Sequence, residues 1–181
     1  MRVIRVLGLG NVLMSDDGFG PYVVRVLEAT CDFRPDVEVI DVGTPGLDLT
    51  PYLLDAEAVI FIDTVKAPGP AGRIQTLRIE DMLRMPPQPR LGPHDPGVKE
   101  ALLTVAAAGR GPRDVLLVGV VPGGLEPGVS LSPPVRAAVP AAVLAVLDEL
   151  ERLGAPASQR ETRLAPDAWW ERAPAGAQLA G

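Results

Sequence analysis

Apolar residues along this chain gather in short runs separated by helix-like stretches. Five runs read as strands, over residues 3–7, 37–42, 58–63, 73–78 and 115–121. The first, third and fifth lie within "VIRVLG", "AVIFID" and "VLLVGVV" and are apolar at nearly every position. Such runs suit central strands covered on both faces. The fourth, "RIQTLRI", alternates apolar and polar residues, which places it at a sheet edge.

Helical spacing fills the intervals. After Gly20, Pro21 suits a first helical position, and Tyr22, Val23, Val26, Leu27 and Thr30 follow at helical steps. A shorter, proline-interrupted helix is expected over 46–55, and another over 98–108 with Gly109 at its end. The clearest helix carries Val135, Val139, Ala142, Val143, Val146, Leu147, Leu150 and Leu153 as one stripe. Arg136, Asp148, Glu149, Glu151 and Arg152 lie largely off that stripe, Pro140 should start or kink the helix, and Gly154 ends it.

Strands alternating with helices predict a single-domain α/β sandwich, with right-handed crossovers placing helices on both sheet faces. The expected organisation is an α/β domain over 1–154 and an Ala/Pro-rich tail over 155–181, where periodicity is lost. Two readings of that tail stay open: disorder, or order on contact. Trp169 and Trp170 are its candidates for docking on the domain or on a partner.

Composition narrows the class. With 181 residues, 47% of them hydrophobic, one domain can bury a sizeable core. A net charge of −6 argues against a general nucleic-acid or anionic-membrane binder. The single cysteine, Cys31, cannot form an internal disulfide, which fits a reducing compartment, and it reads as a half-buried structural thiol. The first apolar stretch is broken by Arg5 and glycines, unlike a signal peptide, and no apolar run approaches the ~18 residues of a membrane span. A soluble, cytoplasmic monomer is expected.

The chemistry concentrates in "GLGNVLMSDDGFG", residues 8–20, between the first strand and the first helix. A dinucleotide fingerprint needs G-x-G-x-x-G. Gly8 and Gly10 supply two glycines, but Leu13 stands at the third position, and Asp16 and Asp17 would repel a pyrophosphate. No G-K-[ST] follows, so this is not a P-loop. Asp41, at the end of the second strand, imitates a ribose-binding acid and keeps a nucleotide- or methyl-donor-dependent transferase open as an alternative.

Ligands of open α/β sheets collect beyond the carboxyl ends of the strands. Asp16 and Asp17 follow the first strand, Asp41 closes the second, and Asp63 closes the third. The only histidine, His94, lies in the loop "LGPHDPG", and Glu126 lies in "GVVPGGLEPG". Carboxylates with an imidazole suit a divalent metal such as Zn, Ni, Fe or Mn, or a general base with its orienting partners. Each residue also has a structural role open to it. One of Asp16 and Asp17 is expected to cap the first helix or its turn, Asp63 can bind loop amides, Asp41 leans to a supporting role, and Glu126 reads as solvated.

The ordered stretches "GLGNVLMSDDGFG", "VIDVGTPGLDL", "VIFIDTVKAPGPAG", "GPHDPGVKEALL" and "LLVGVVPGGLEPGVSLSPPV" resemble the hydrogenase maturation proteases over roughly residues 1–153. These endopeptidases trim the C-terminal extension of the nickel–iron hydrogenase large subunit. The resemblance implies a three-layer α/β/α sandwich around a five-stranded, mostly parallel mixed sheet. It matches Asp17, Asp63 and His94 to the family's metal-binding residues, with Asp41 and Asp16 as supporting acids. It implies no permanently bound cofactor. Nickel is instead recognised on the precursor, and cleavage waits for nickel insertion. A non-catalytic nickel-binding maturation chaperone using the same crevice is the alternative.

Overall fold

The computed structural model describes residues 3–44, 49–84, 95–162 and 164–172. Along the chain run β1 (Val3–Leu9), α1 (Phe19–Thr30), β2 (Cys31–Asp32), β3 (Val37–Gly43), α2 (Thr50–Leu53), β4 (Ala56–Thr64) and β5 (Ile74–Arg78). Then follow α3 (Ile79–Arg84), α4 (Asp95–Ala107), β6 (Asp114–Val120), α5 (Pro133–Arg152) and β7 (Ser158–Gln159).

Five strands form one sheet in the order β3-β1-β4-β6-β5. β1 pairs parallel with β3 and β4, and β4 pairs parallel with β6. β5 alone runs antiparallel, at the edge that its alternating sequence assigns to it. The five strands predicted from apolar runs are therefore all present, each displaced by at most two residues at an end.

The period of two along each strand divides the core between the two faces. Val6 of β1, Ile60 and Ile62 of β4, and Val118 and Val120 of β6 pack with Phe19, Val23 and Leu27 of α1 and with Val135, Val139 and Val146 of α5. Leu7 and Leu9 of β1, Val59 and Phe61 of β4, and Val115 of β6 pack with Leu53 of α2 and with Leu102 and Val105 of α4. This is the three-layer α/β/α sandwich. Arg5, the one charge inside the first apolar run, is used locally. Its guanidinium donates to the Tyr52 and Leu54 carbonyls at the end of α2, at 3.0 and 3.1 Å, and to Glu38 at 2.7 Å.

Several boundaries differ from the sequence reading. α1 begins at Phe19, so Pro21 sits inside the first turn, where a missing N–H still costs nothing. Pro140 does not start α5; it lies inside the helix on the exposed side, where solvent can take the carbonyl it leaves free. The expected helix over 46–55 shortens to Thr50–Leu53 among the described residues. Glu149, off the apolar stripe of α5, is nonetheless only 4% exposed. It accepts from both guanidinium ends of Arg78, at 2.5 and 2.7 Å, and from Arg152, at 2.8 and 3.0 Å. Burial pushes the Glu149 carboxyl up, but the hydrogen bonds from Arg152 and Arg78 outweigh it and hold the group at about 2.

Past Gly154 the described residues pack on the domain. β7 pairs antiparallel with β2, setting Gln159 opposite Cys31 and Ser158 opposite Asp32. Cys31 is buried, with its sulfur 3.6 Å from the Thr30 hydroxyl. Further on, Trp170 is buried and stacks edge-on against Trp169. Among the described residues no helix is long and apolar enough to cross a membrane.

Candidate active site at the carboxyl ends of β1 and β4

From β1 the chain goes to the edge strand β3 and then returns to β4 on the other side of β1. That reversal leaves a crevice beyond the carboxyl ends of β1 and β4, the usual ligand position in an open α/β sheet. Gly8 and Ile62 stand in register there, so the loop after β1 and the end of β4 face each other.

Asp16 and Asp17 occupy a short 3-10 turn, Ser15–Gly18, between β1 and α1. Neither caps α1, whose N-cap is Gly18 with no side-chain cap bond. Of the two expected roles, a cap on the helix or on its turn, the helix cap is not present, while Asp17 bonds the Asn11 N–H within the turn. The two side chains point to different partners. Asp16 is fully buried. Its Oδ2 accepts from the Gly123 and Gly124 N–H groups at 2.7 and 3.1 Å and from the Ser132 hydroxyl at 2.8 Å. Its Oδ1 accepts from the Ser132 N–H at 2.6 Å. Four donors on one carboxylate satisfy the charge locally and pin the loop before α5 to the loop after β1.

Asp17 is 2% exposed. Its Oδ2 accepts from the Asn11 N–H at 2.8 Å, and its Oδ1 lies 3.4 Å from the Thr64 hydroxyl. Asn11 closes its own turn, accepting from the Leu13 N–H at 3.0 Å. Asp63 is partly exposed at the end of β4, and its Oδ1 accepts from the Thr64 N–H at 2.7 Å. Thr64 thus touches both acids, its hydroxyl near Asp17 and its N–H bonded to its own neighbour Asp63. Thr64 and Asn11 were missed from sequence; the one available signal was the Asn directly after the second Gly of the G-x-G-N stretch.

Asp41 takes another direction. It accepts from Arg25 at 3.1 Å and from the Gly43 N–H at 3.1 Å, so it is an ion-paired acid at the end of β3. Glu126 is exposed, as its sequence context suggests. His94 lies outside the described residues. Among the described residues no group of three or more His, Cys, Asp or Glu side chains is placed to hold a metal.

Two glycines of this loop are required by close packing. A Cβ on Gly20 would lie 2.2 Å from the Leu9 carbonyl oxygen and 2.4 Å from that of Ile62. A Cβ on Gly8 would lie 2.6 Å from the Gly20 carbonyl oxygen. The first turn of α1 is therefore pressed onto β1 and β4.

Comparisons with known proteins agree with this geometry. The family model for hydrogenase maturation proteases (HycI) matches residues 21–149. The Hydrogenase 2 maturation protease of Escherichia coli K12 is 33% identical over 162 residues, covering 89% of this chain and 98% of that protein. The hydrogenase expression/formation protein HoxM of Azotobacter vinelandii is 35% identical over 167 residues, covering 90% and 81%. The solved structure of the hydrogenase maturating endopeptidase HybD from E. coli superposes with a TM-score of 0.81 at 32% identity, covering 88% of this chain and 98% of that one. The fold, the crevice and the extent of these matches agree that the chain belongs to the hydrogenase maturation protease family and is a hydrogenase maturation endopeptidase.

Proposed function

We propose that this endopeptidase removes the C-terminal extension of a nickel–iron hydrogenase large-subunit precursor after nickel insertion, and that Asp17, Asp63 and His94 recognise the nickel the precursor carries. The observation that supports this most is that Asp17 of the β1 loop reaches Thr64, the residue next to Asp63 at the end of β4. Two carboxylates from separate elements, with an imidazole, form an oxygen and nitrogen donor set of the kind nickel accepts.

Nickel enters as part of the substrate, so a precursor without it presents a weaker match to the crevice. Peptide hydrolysis needs a polarised carbonyl and an activated water. Asp63 is the better placed acceptor for the water proton, because it is partly exposed while Asp17 is nearly sealed. Asp17 then serves to bind, and docking of the precursor must displace what covers it. Cys31 plays no part as nucleophile: it is buried in β2, after the C-terminal end of α1, whereas the crevice adjoins its N-terminal end.

The test replaces Asp63 or His94 by Ala and follows the mass of a nickel-loaded precursor during incubation. Loss of processing in variants that keep the wild-type circular dichroism supports the assignment. Full processing by either variant removes that residue from the site.

A further inference from the structure

The tail supplies a feature that the crevice acids do not explain. From the β2–β7 pair it turns back along α1. The Arg160 N–H donates to the Thr30 carbonyl at 2.9 Å, and the Leu164 N–H to that of Ala29 at 3.1 Å, both at the C-terminal end of α1. By Glu171 it has reached the other end. Glu171 ion-pairs with Arg136 in the first turns of α5, and Arg136 lies 5.0 Å over the Tyr22 ring near the start of α1. The tail thus covers the length of α1, roughly 18 Å for twelve residues, and delivers Trp169 and Trp170 to the crevice end of the sheet.

There the two indoles close one side of a pocket of about 180 Å³ whose other walls include Gly10, Asn11, Asp41 and Gly43. Trp170 is 6% exposed and anchors the wall; Trp169 is 57% exposed and faces outward. The floor is backbone. Gly10 has φ +135°, and a Cβ there would fall 1.8 Å from the Asp17 carbonyl oxygen, so the floor carries no side chain at that point. Asn11 is shared with the crevice, since its N–H is the one that holds Asp17.

We propose that this pocket is a substrate subsite: the Trp169–Trp170 wall receives one uncharged, apolar or planar side chain of the precursor segment beside the bond to be cut. The inference rests on the precursor-processing reading above. Three properties point to this guest. Asp41, the carboxylate in the wall, already has its oxygens engaged by the Gly43 N–H and by Arg25, which it shares with Glu28, so among the described residues the wall offers no free cation to an acidic guest. The volume is below the ~300 Å³ at which small-molecule sites begin, which suits one side chain better than a cofactor. An exposed indole held in place by an ordered tail offers a large, rigid stacking face at little entropic cost.

The experiment compares steady-state processing of a nickel-loaded precursor by the full wild-type chain, Trp169→Ala, Trp169→Phe and Val12→Phe, which narrows the same pocket from the β1 loop. The expected result is a fall in kcat/KM of about fivefold for Trp169→Ala and Val12→Phe, carried by KM, with Trp169→Phe close to wild type. Unchanged kcat/KM in Trp169→Ala and Val12→Phe overturns the subsite, as does a loss carried by kcat alone. An uncut precursor with the wild-type chain instead overturns the processing assignment, and the subsite with it.

Discussion

Ser132 gives Asp16 both of its donors: its N–H at 2.6 Å and its hydroxyl at 2.8 Å. The residue that starts α5 is thereby fastened to the turn that starts α1, across the carboxyl end of the sheet. Asp16 is a clamp, and its neighbour Asp17 is aimed by that clamp toward Thr64.

The clamp gives the first expected outcome. Asp16→Ala takes the acceptor from four part-buried donors and should cost about 3 kcal/mol, since a hydrogen bond to a charged group contributes roughly 1.5–3 kcal/mol and water can reach some of the donors left behind. For a chain of this length that lowers Tm by roughly 10 °C. Asp16→Asn should fall almost as far, because its amide NH2 would meet N–H donors. Ser132→Ala removes only the hydroxyl and should cost about 1 kcal/mol. Thermal unfolding followed by circular dichroism measures all three, and an Asp16→Ala protein as stable as wild type would deny the clamp.

Thr64 gives the second. Thr64→Val keeps the buried β-branched shape in β4 and removes the hydroxyl that reaches Asp17. Stability should fall by about 1–3 kcal/mol, because a buried carboxylate oxygen loses a donor, while precursor processing should slow roughly tenfold as Asp17 loses an orienting partner. Asp63→Asn should keep the fold and reduce processing at least about a hundredfold. Processing at the wild-type rate in Thr64→Val would mean that the contact between Thr64 and Asp17 is incidental.

Glu149 gives an acid-side signature. Its folded carboxyl is held at about 2 against an ordinary value of 4.5. A depressed folded value stabilises the native state above the unfolded value, and that contribution is lost as pH falls from about 4.5 towards 2. At 1.36 kcal/mol per pH unit the contribution is at most about 3 kcal/mol. Glu149→Gln should therefore be less stable than wild type at neutral pH, and the gap should close on acidification through that window. Denaturant unfolding at pH 7 and pH 3 checks it; parallel losses in both proteins would contradict the charge pairing.

Gly20 gives a packing test. A methyl group there meets two backbone carbonyls, and neither can swing aside as a side chain would. Gly20→Ala should fail to fold or lose several kcal/mol, whereas Gly43→Ala, with nothing within 4 Å of its Cβ position, should cost only the strain of its positive φ. Soluble yield and Tm of the two variants separate these outcomes.

The legible parts of this chain are those whose signal is local. β1, β4 and β6 announce themselves as continuous apolar runs because both faces are covered, and β5 announces its edge position by alternating. Residues whose partners are remote were not legible. Asp16 meets Gly123, Gly124 and Ser132 more than a hundred positions away, so nothing nearby distinguishes it from Asp17. Glu149 lies off an apolar stripe and is nonetheless buried, because Arg78 arrives from β5. β2 and β7 are two residues each, too short for any periodic pattern. Thr64 reads as an ordinary strand residue until the loop after β1 folds against it.

The most direct measurement of the proposed function is the mass of the large-subunit precursor after incubation with this protein, nickel-loaded in one arm and nickel-free in the other. Processing gated by nickel gives loss of the C-terminal extension in the loaded arm only. Equal cleavage in both arms, or an uncut precursor in both, would contradict it.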